Sequence, residues 1–149
     1  MLPPDFINAG RIARGLEIAS KKRLLETLAR LLATDHPGLE PDAVFERLLE
    51  RERLGSTGLG HGIALPHARI KAIPQSLGAF VSLTQGVDYD AADGEPVDLA
   101  FALLVPETAT EEHLQLLAEL AGRFNDPELR RRLRQADNAA AILNLFGVA

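Results

Sequence analysis

The segment Val97 to Val105 limits the folds open to this chain more than any other. It is apolar almost throughout and rich in β-favouring residues. A strand with one solvated face alternates apolar and polar residues, so an unbroken apolar run belongs to a strand covered on both faces. The flanking sequence supplies helices to cover it. Ser20 is placed as an N-cap, and Leu24, Leu25, Leu28, Leu31 and Leu32 follow at one-face helical spacing until Asp35-His36-Pro37-Gly38 stops the run. A second helix starts at Pro41, carries Val44, Leu48 and Leu49, and ends before Gly55. After the apolar run, Thr110 caps a helix with the stripe Leu114, Leu117, Ala118, Ala121 and Phe124. Shorter helices start at Asp126-Pro127, with Leu129 and Leu133 inward, and at Asp137, with Ile142, Leu143 and Phe146. Leu77–Thr84 reads as a further strand, Asp93-Gly94 as a turn, and Ile63-Ala64-Leu65 as a short or edge strand, because Pro66 has no N–H to donate. The expected class is α/β: helices layered over a small mixed sheet.

Composition narrows the function classes. The chain has 149 residues, within the usual single-domain range, and no internal repeat or linker divides residues 1–149. It has no cysteine, which excludes a disulfide framework, a thiolate metal site and a cysteine nucleophile. The net charge of −5 runs against nucleic-acid binding, which draws its affinity from cationic groups. The cluster Arg130-Arg131-Arg132…Arg134 is therefore read as a solvated or partner-facing basic face of a helix. No apolar run has the length of a membrane span, and the N-terminus shows no secretory signal, so the expected location is the cytoplasm without membrane insertion.

The chemistry concentrates between Arg51 and Arg69. Gly55, Gly58, Gly60 and Gly62 fall close together, with the hydroxyls of Ser56 and Thr57 among them. Ile63-Ala64-Leu65 then leads to Pro66-His67, and Arg51 and Arg69 bracket the segment. An imidazole ending a strand, stiffened by proline and near guanidinium groups, suits phosphoryl chemistry, because a neutral imidazole is nucleophilic near pH 7 and guanidinium forks bind phosphoryl oxygens. From the residues alone, a glycine-rich turn beside a structural Pro-His pair stands as the alternative. No Walker loop, dinucleotide fingerprint or nucleophile elbow is present. A three-histidine metal site of His61, His67 and His113 lacks a supporting carboxylate at motif spacing.

The run Gly55-Ser56-Thr57-Gly58-Leu59-Gly60…Gly62-Ile63-Ala64-Leu65-Pro66-His67, preceded by Arg51-Glu52, resembles the phosphoacceptor motif of the enzyme IIA domains of the mannitol/fructose class of the bacterial phosphoenolpyruvate–sugar phosphotransferase system. The likeness extends to Ser20-Lys21-Lys22-Arg23, Pro96-Val97-Asp98-Leu99 through Leu104-Val105-Pro106, and His113-Leu114 through Leu117-Ala118, covering about residues 5–145. Within the class it is most similar to the nitrogen-regulatory branch. The resemblance implies one domain with a mixed sheet sandwiched between helices on both faces. It implies His67 as phosphoacceptor through its tele nitrogen, with His113 and Arg51 as active-site partners and Ser56, Thr57, Gly58 and Gly60 around the phosphoryl group. The implied donor is an HPr-like phosphocarrier of the nitrogen branch, and the implied output is regulation of protein targets such as potassium transport or sensor-kinase proteins. No cofactor or metal is implied, because the donor is already activated. A sugar-specific enzyme IIA feeding an enzyme IIB, or a non-phosphorylated binding module, is the rival reading. Ala68 stands where glycine is more typical, and His61 where asparagine is frequent.

Overall fold

The structure is a computed structural model that describes residues 2–3, 5–71 and 73–147. In chain order its elements are β1 (Ile12–Leu16), α1 (Lys21–Ala33), α2 (Pro41–Arg53), β2 (Gly58–Gly60), β3 (Ile63–Ala64), β4 (His67–Ile70), β5 (Leu77–Val87), β6 (Val97–Pro106), α3 (Thr110–Phe124), α4 (Pro127–Gln135) and α5 (Ala139–Leu145). The strands form one mixed six-stranded sheet in the order β1-β5-β6-β3-β2, with β4 also paired to β6. Strand β6 is antiparallel to β5 and parallel to β3 and β4.

The apolar run is buried from both sides, as its composition requires. Ala100, Ala102 and Leu104 enter a core with Leu24, Leu28 and Leu32 of α1 and Val44 and Leu48 of α2. Leu99, Phe101, Leu103 and Val105 enter a second core with Leu116, Leu120 and Phe124 of α3, Leu133 of α4 and Ile142 of α5. The period of two along one strand thus feeds two helical layers. Phe101 anchors the second core, its ring 5.2 Å from that of Phe146 and 6.1 Å from that of Phe124.

Several expectations shift. Strand β1 was not legible: it is an edge strand with mostly half-exposed or exposed positions and no alternation to read. Part of the glycine loop is strand β2, whose two glycines carry no side-chain pattern. His67 opens β4 rather than ending a strand; β3 and β4 run along the same partner strand, interrupted at Leu65-Pro66. The stripe of α3 is rotated. Leu116, Leu120 and Phe124 are buried, while Leu114 is 64% exposed. Apolar residues occupy so much of this helix that its sequence fits more than one phase. Thr110 is the first helical residue after Ala109, and Asn138 rather than Asp137 caps α5. Arg131, Arg132 and Arg134 of α4 lie exposed, in keeping with a solvated face, while making contacts within the molecule: Arg131 and Arg132 pair with Glu128, Arg134 forks onto Asp98, and Arg130 donates to the Phe124 carbonyl.

Candidate active site

Strand alternation decides where His67 points. Ile63 and Leu65 face the α3–α5 layer, whereas Ala64 and Ala68 face α1 and α2. His67, two residues past Leu65, falls on the α3 side. There it meets His113, which lies in the first turns of α3, three residues before the buried Leu116. The two rings pack edge to face with centroids 5.3 Å apart. Arg51, in the last turn of α2 on the other layer, reaches the same ring from the open side of β4.

The partners of His67 specify one neutral tautomer. Its Nδ1 lies 2.8 Å from the Leu65 carbonyl oxygen, which only accepts, so Nδ1 carries the proton. Arg51 Nε–H donates to Nε2 at 3.3 Å, and a guanidinium only donates, so Nε2 carries the lone pair. Burial lowers the His67 pKa below its usual 6.5; the Leu65 hydrogen bond opposes this, the Arg51 charge adds to it, and the Glu52 charge opposes it. His113 is held lower, at about 4, by burial first and then by the charges of His67, Arg69 and Arg51. Both imidazoles are neutral at pH 7. The His113 Nε2 is buried and has no hydrogen-bond partner among the described residues.

His67 and His113 line a cleft of about 430 Å³ with Arg47, Arg51, Arg69 and Thr110, and the exposed Leu54 and Leu114 form part of its wall. Three guanidinium groups thus border the cleft onto which the His67 ring opens. Arg51 Nη1 is pinned on the Gly55 carbonyl at 2.9 Å. Arg47 donates twice to the Arg69 carbonyl, at 3.1 and 3.0 Å, and Arg69 Nη1 lies 3.4 Å from the Thr110 hydroxyl. Arg47 and Thr110 escaped the sequence reading because the fold, not a motif, brings them to the cleft.

The structure brings Arg51, His67 and His113 together, but not the glycine-loop residues. Ser56, Thr57, Gly58 and Gly60 are not among those lining the cleft. The Ser56 hydroxyl donates to the Tyr89 carbonyl at 3.1 Å and accepts from the Gly58 N–H. Thr57 is buried, and its hydroxyl is taken by the Glu52 carboxylate and lies 3.1 Å from the Tyr89 hydroxyl. Gly58 is required by packing, since a Cβ there would lie 2.7 Å from that of Ala91. Gly60 helps turn β2 into β3, with φ of +89°.

His61 sits in that turn with φ of +58°, its N–H on Asp93 and its carbonyl on Arg134. It lines other depressions, away from His67 and His113. Among the described residues no group of three or more His, Cys, Asp or Glu is placed to hold a metal ion. Among them also, no helix is long and apolar enough to cross a membrane.

The chain is thus an α/β domain with a mixed sheet between helical layers, and its cleft holds a lone-pair-bearing histidine nitrogen beside arginines and a second histidine. Residues 5–147 match the family described as "Phosphoenolpyruvate-dependent sugar phosphotransferase system, EIIA 2", and the chain belongs to that family. It is 45% identical over 141 residues to the Nitrogen regulatory protein of Pseudomonas aeruginosa, covering 95% of this chain and 92% of that protein. The PTS system fructose-specific EIIA component of Haloferax volcanii is 35% identical over 128 residues, covering 86% and 83%. Among solved structures, the nitrogen regulatory protein IIA-Ntr from Neisseria meningitidis matches with a TM-score of 0.88 at 42% identity, over 94% of this chain and 95% of that chain.

Proposed function

We propose that this chain is a regulatory phosphocarrier of the nitrogen branch of the phosphotransferase system. His67 Nε2 accepts a phosphoryl group from a phosphohistidine on an HPr-like carrier in the cytoplasm. The observation that carries this reading is the pair of contacts on His67: the Leu65 carbonyl on Nδ1–H, and Arg51 facing the Nε2 lone pair.

In the proposed step the Nε2 lone pair attacks phosphorus in line. The phosphorus–nitrogen bond of the donor breaks, and its electron pair returns to the donor imidazole. The His67 ring becomes a phosphoimidazolium that keeps its Nδ1 proton on the Leu65 carbonyl. Arg51 exchanges its bond to Nε2 for one to a phosphoryl oxygen, with its guanidinium still anchored on Gly55. Arg69 and His113 border the same space. The modification adds about −1.5 to −2 of charge to a concave surface, enough to change which proteins bind there. The expected targets are proteins of potassium transport or sensor kinases.

The 35% identity to a fructose-specific relative supports a second reading, in which the group passes on to an enzyme IIB. One experiment addresses both. The protein is incubated with phosphoenolpyruvate, enzyme I and each HPr-type carrier, and read by intact mass. A gain of about 80 Da, one phosphoryl group, is expected from the nitrogen-branch carrier and is lost in His67→Ala. Retention of that gain in His67→Ala overturns the assignment. Rapid discharge onto a sugar-branch enzyme IIB favours the second reading.

A further inference from the structure

Two sets of contacts converge on His67, and both run back to Glu52. Behind the ring, Glu52 Oε1 accepts from the Thr57 N–H at 3.1 Å, and Oε2 takes the Thr57 hydroxyl. The Thr57 carbonyl then accepts from the Leu65 N–H at 3.0 Å. The Leu65 carbonyl in turn accepts from His67 Nδ1–H at 2.8 Å. In front of the ring, the Glu52 backbone carbonyl accepts from the Gly55 N–H at 3.1 Å, and the Gly55 carbonyl anchors Arg51. Lys21 Nζ neutralises the carboxylate at 3.0 Å and sits 4.4 Å above the Tyr89 ring.

The Glu52 side chain is 3% exposed. Burying an ion pair is an inefficient way to stabilise a loop, because desolvation offsets most of the attraction. What the carboxylate supplies is geometry. It grips the N–H and the hydroxyl of Thr57 at once, which restrains both the backbone and the side chain of that residue. The Thr57 carbonyl direction, and with it the Leu65 peptide, is fixed as a result.

We propose that Glu52 is a positioning residue for phosphoryl transfer: through Thr57 and Leu65 it holds His67 in the Nδ1–H tautomer with the Nε2 lone pair aimed into the cleft. It touches no reacting atom. The role rests on His67 being the phosphoacceptor.

Nitrogen-15 NMR of the His67 ring in the full-length protein at pH 8 tests the inference without any phosphotransfer. The wild type is expected to show a protonated Nδ1 and an unprotonated Nε2. Glu52→Ala and Thr57→Val free the Leu65 carbonyl, so the ring samples both tautomers, and the single-turnover transfer rate falls about 10- to 100-fold from misplacement of the nucleophile. Glu52→Gln and Thr57→Ser keep the hydrogen-bonding shape and are expected to restore the wild-type tautomer and most of the rate. If Glu52→Ala does not fold, the Thr57→Val and Thr57→Ser pair decides by the same readout. A folded Glu52→Ala or Thr57→Val protein with the wild-type tautomer overturns the inference, as does a shifted tautomer with an unchanged rate. Should no carrier phosphorylate the wild type, the phosphocarrier reading fails, while the tautomer comparison still decides whether Glu52 sets the His67 ring.

Discussion

The imidazoles of His67 and His113 meet edge to face, 5.3 Å between centroids and 70° between planes, although 46 residues of sequence and two different elements separate them (positions 67 and 113). The repulsion between two protonated rings is reciprocal, and it falls on the second proton that the pair takes up. The charge of His67 is among the causes that lower His113, whereas His113 is not among those that set His67, whose leading cause is burial. The lower-titrating His113 is already neutral over the range in which His67 takes up its proton. Burial is the leading cause that lowers His67, and the His113 ring packed against it adds to that burial.

Removal of that cover is expected to raise the His67 pKa. In His113→Ala the ring becomes better solvated, so the acidic limb of the phosphorylation rate moves to higher pH. The variant is still phosphorylated, but more slowly, and its phosphohistidine is shorter-lived. NMR titration of His67 in both proteins measures the shift. Superimposable curves contradict the pairing.

Arg51→Ala is expected to slow transfer by about 10²–10³, the usual cost of losing one preorganised charge donor. It should also raise the His67 pKa, because a nearby positive charge disappears. Arg51→Lys recovers only part of the rate, since an ammonium cannot hold the Gly55 carbonyl and face His67 as a planar fork does. An unaltered single-turnover rate in Arg51→Ala removes this residue from the mechanism.

Stability is expected to fall with acid in a defined window. An unfolded histidine protonates near 6.5, but folded His113 does so only at about 4. Between these values the unfolded chain binds a proton that the folded chain excludes. Folding free energy contributed by neutral His113 is thus intact above about pH 6.5 and is lost progressively toward pH 4. His67, lowered as well, acts in the same direction. His113→Asn should flatten the dependence of the urea midpoint on pH across that range, and an equally steep profile argues against it.

Arg11 offers a test of architecture apart from function. Its side chain is 1% exposed, donates twice to Asp35, and also donates to the carbonyls of Gly78, Asp5 and Phe6. It ties the N-terminal segment to the turn after α1 and to β5. Arg11→Met removes a buried donor from the Gly78, Asp5 and Phe6 carbonyls and from Asp35, and is expected to cost about 1–3 kcal/mol in urea unfolding, the scale of lost buried hydrogen bonds. Transfer by the folded fraction should not change. A loss under about 1 kcal/mol, the scale of an exposed pair, contradicts the staple.

Much of this molecule was legible before folding. The unbroken run in β6 requires two covering layers, and Ser20, Pro41 and Pro127 mark helix starts that the structure keeps. Arg51 and His67 lie close enough along a recognisable motif to be singled out together. Other features had no local signal. Strand β1 gains its identity only by pairing with β5, and the true face of α3 emerges only when the sheet selects Leu116 over Leu114.

The amino-acid sequence by itself determined the layers and singled out the motif that holds His67 and Arg51, because periodicity, caps and motif chemistry act over short stretches of chain. Tertiary structure alone decided that His113 faces His67, that His61 turns away, and that the hydroxyls of Ser56 and Thr57 are engaged in holding the loop instead of lining the cleft. The orientation of a side chain depends on which strand face and helix phase the two cores bury, and that choice is made by the packed whole rather than by neighbours in sequence.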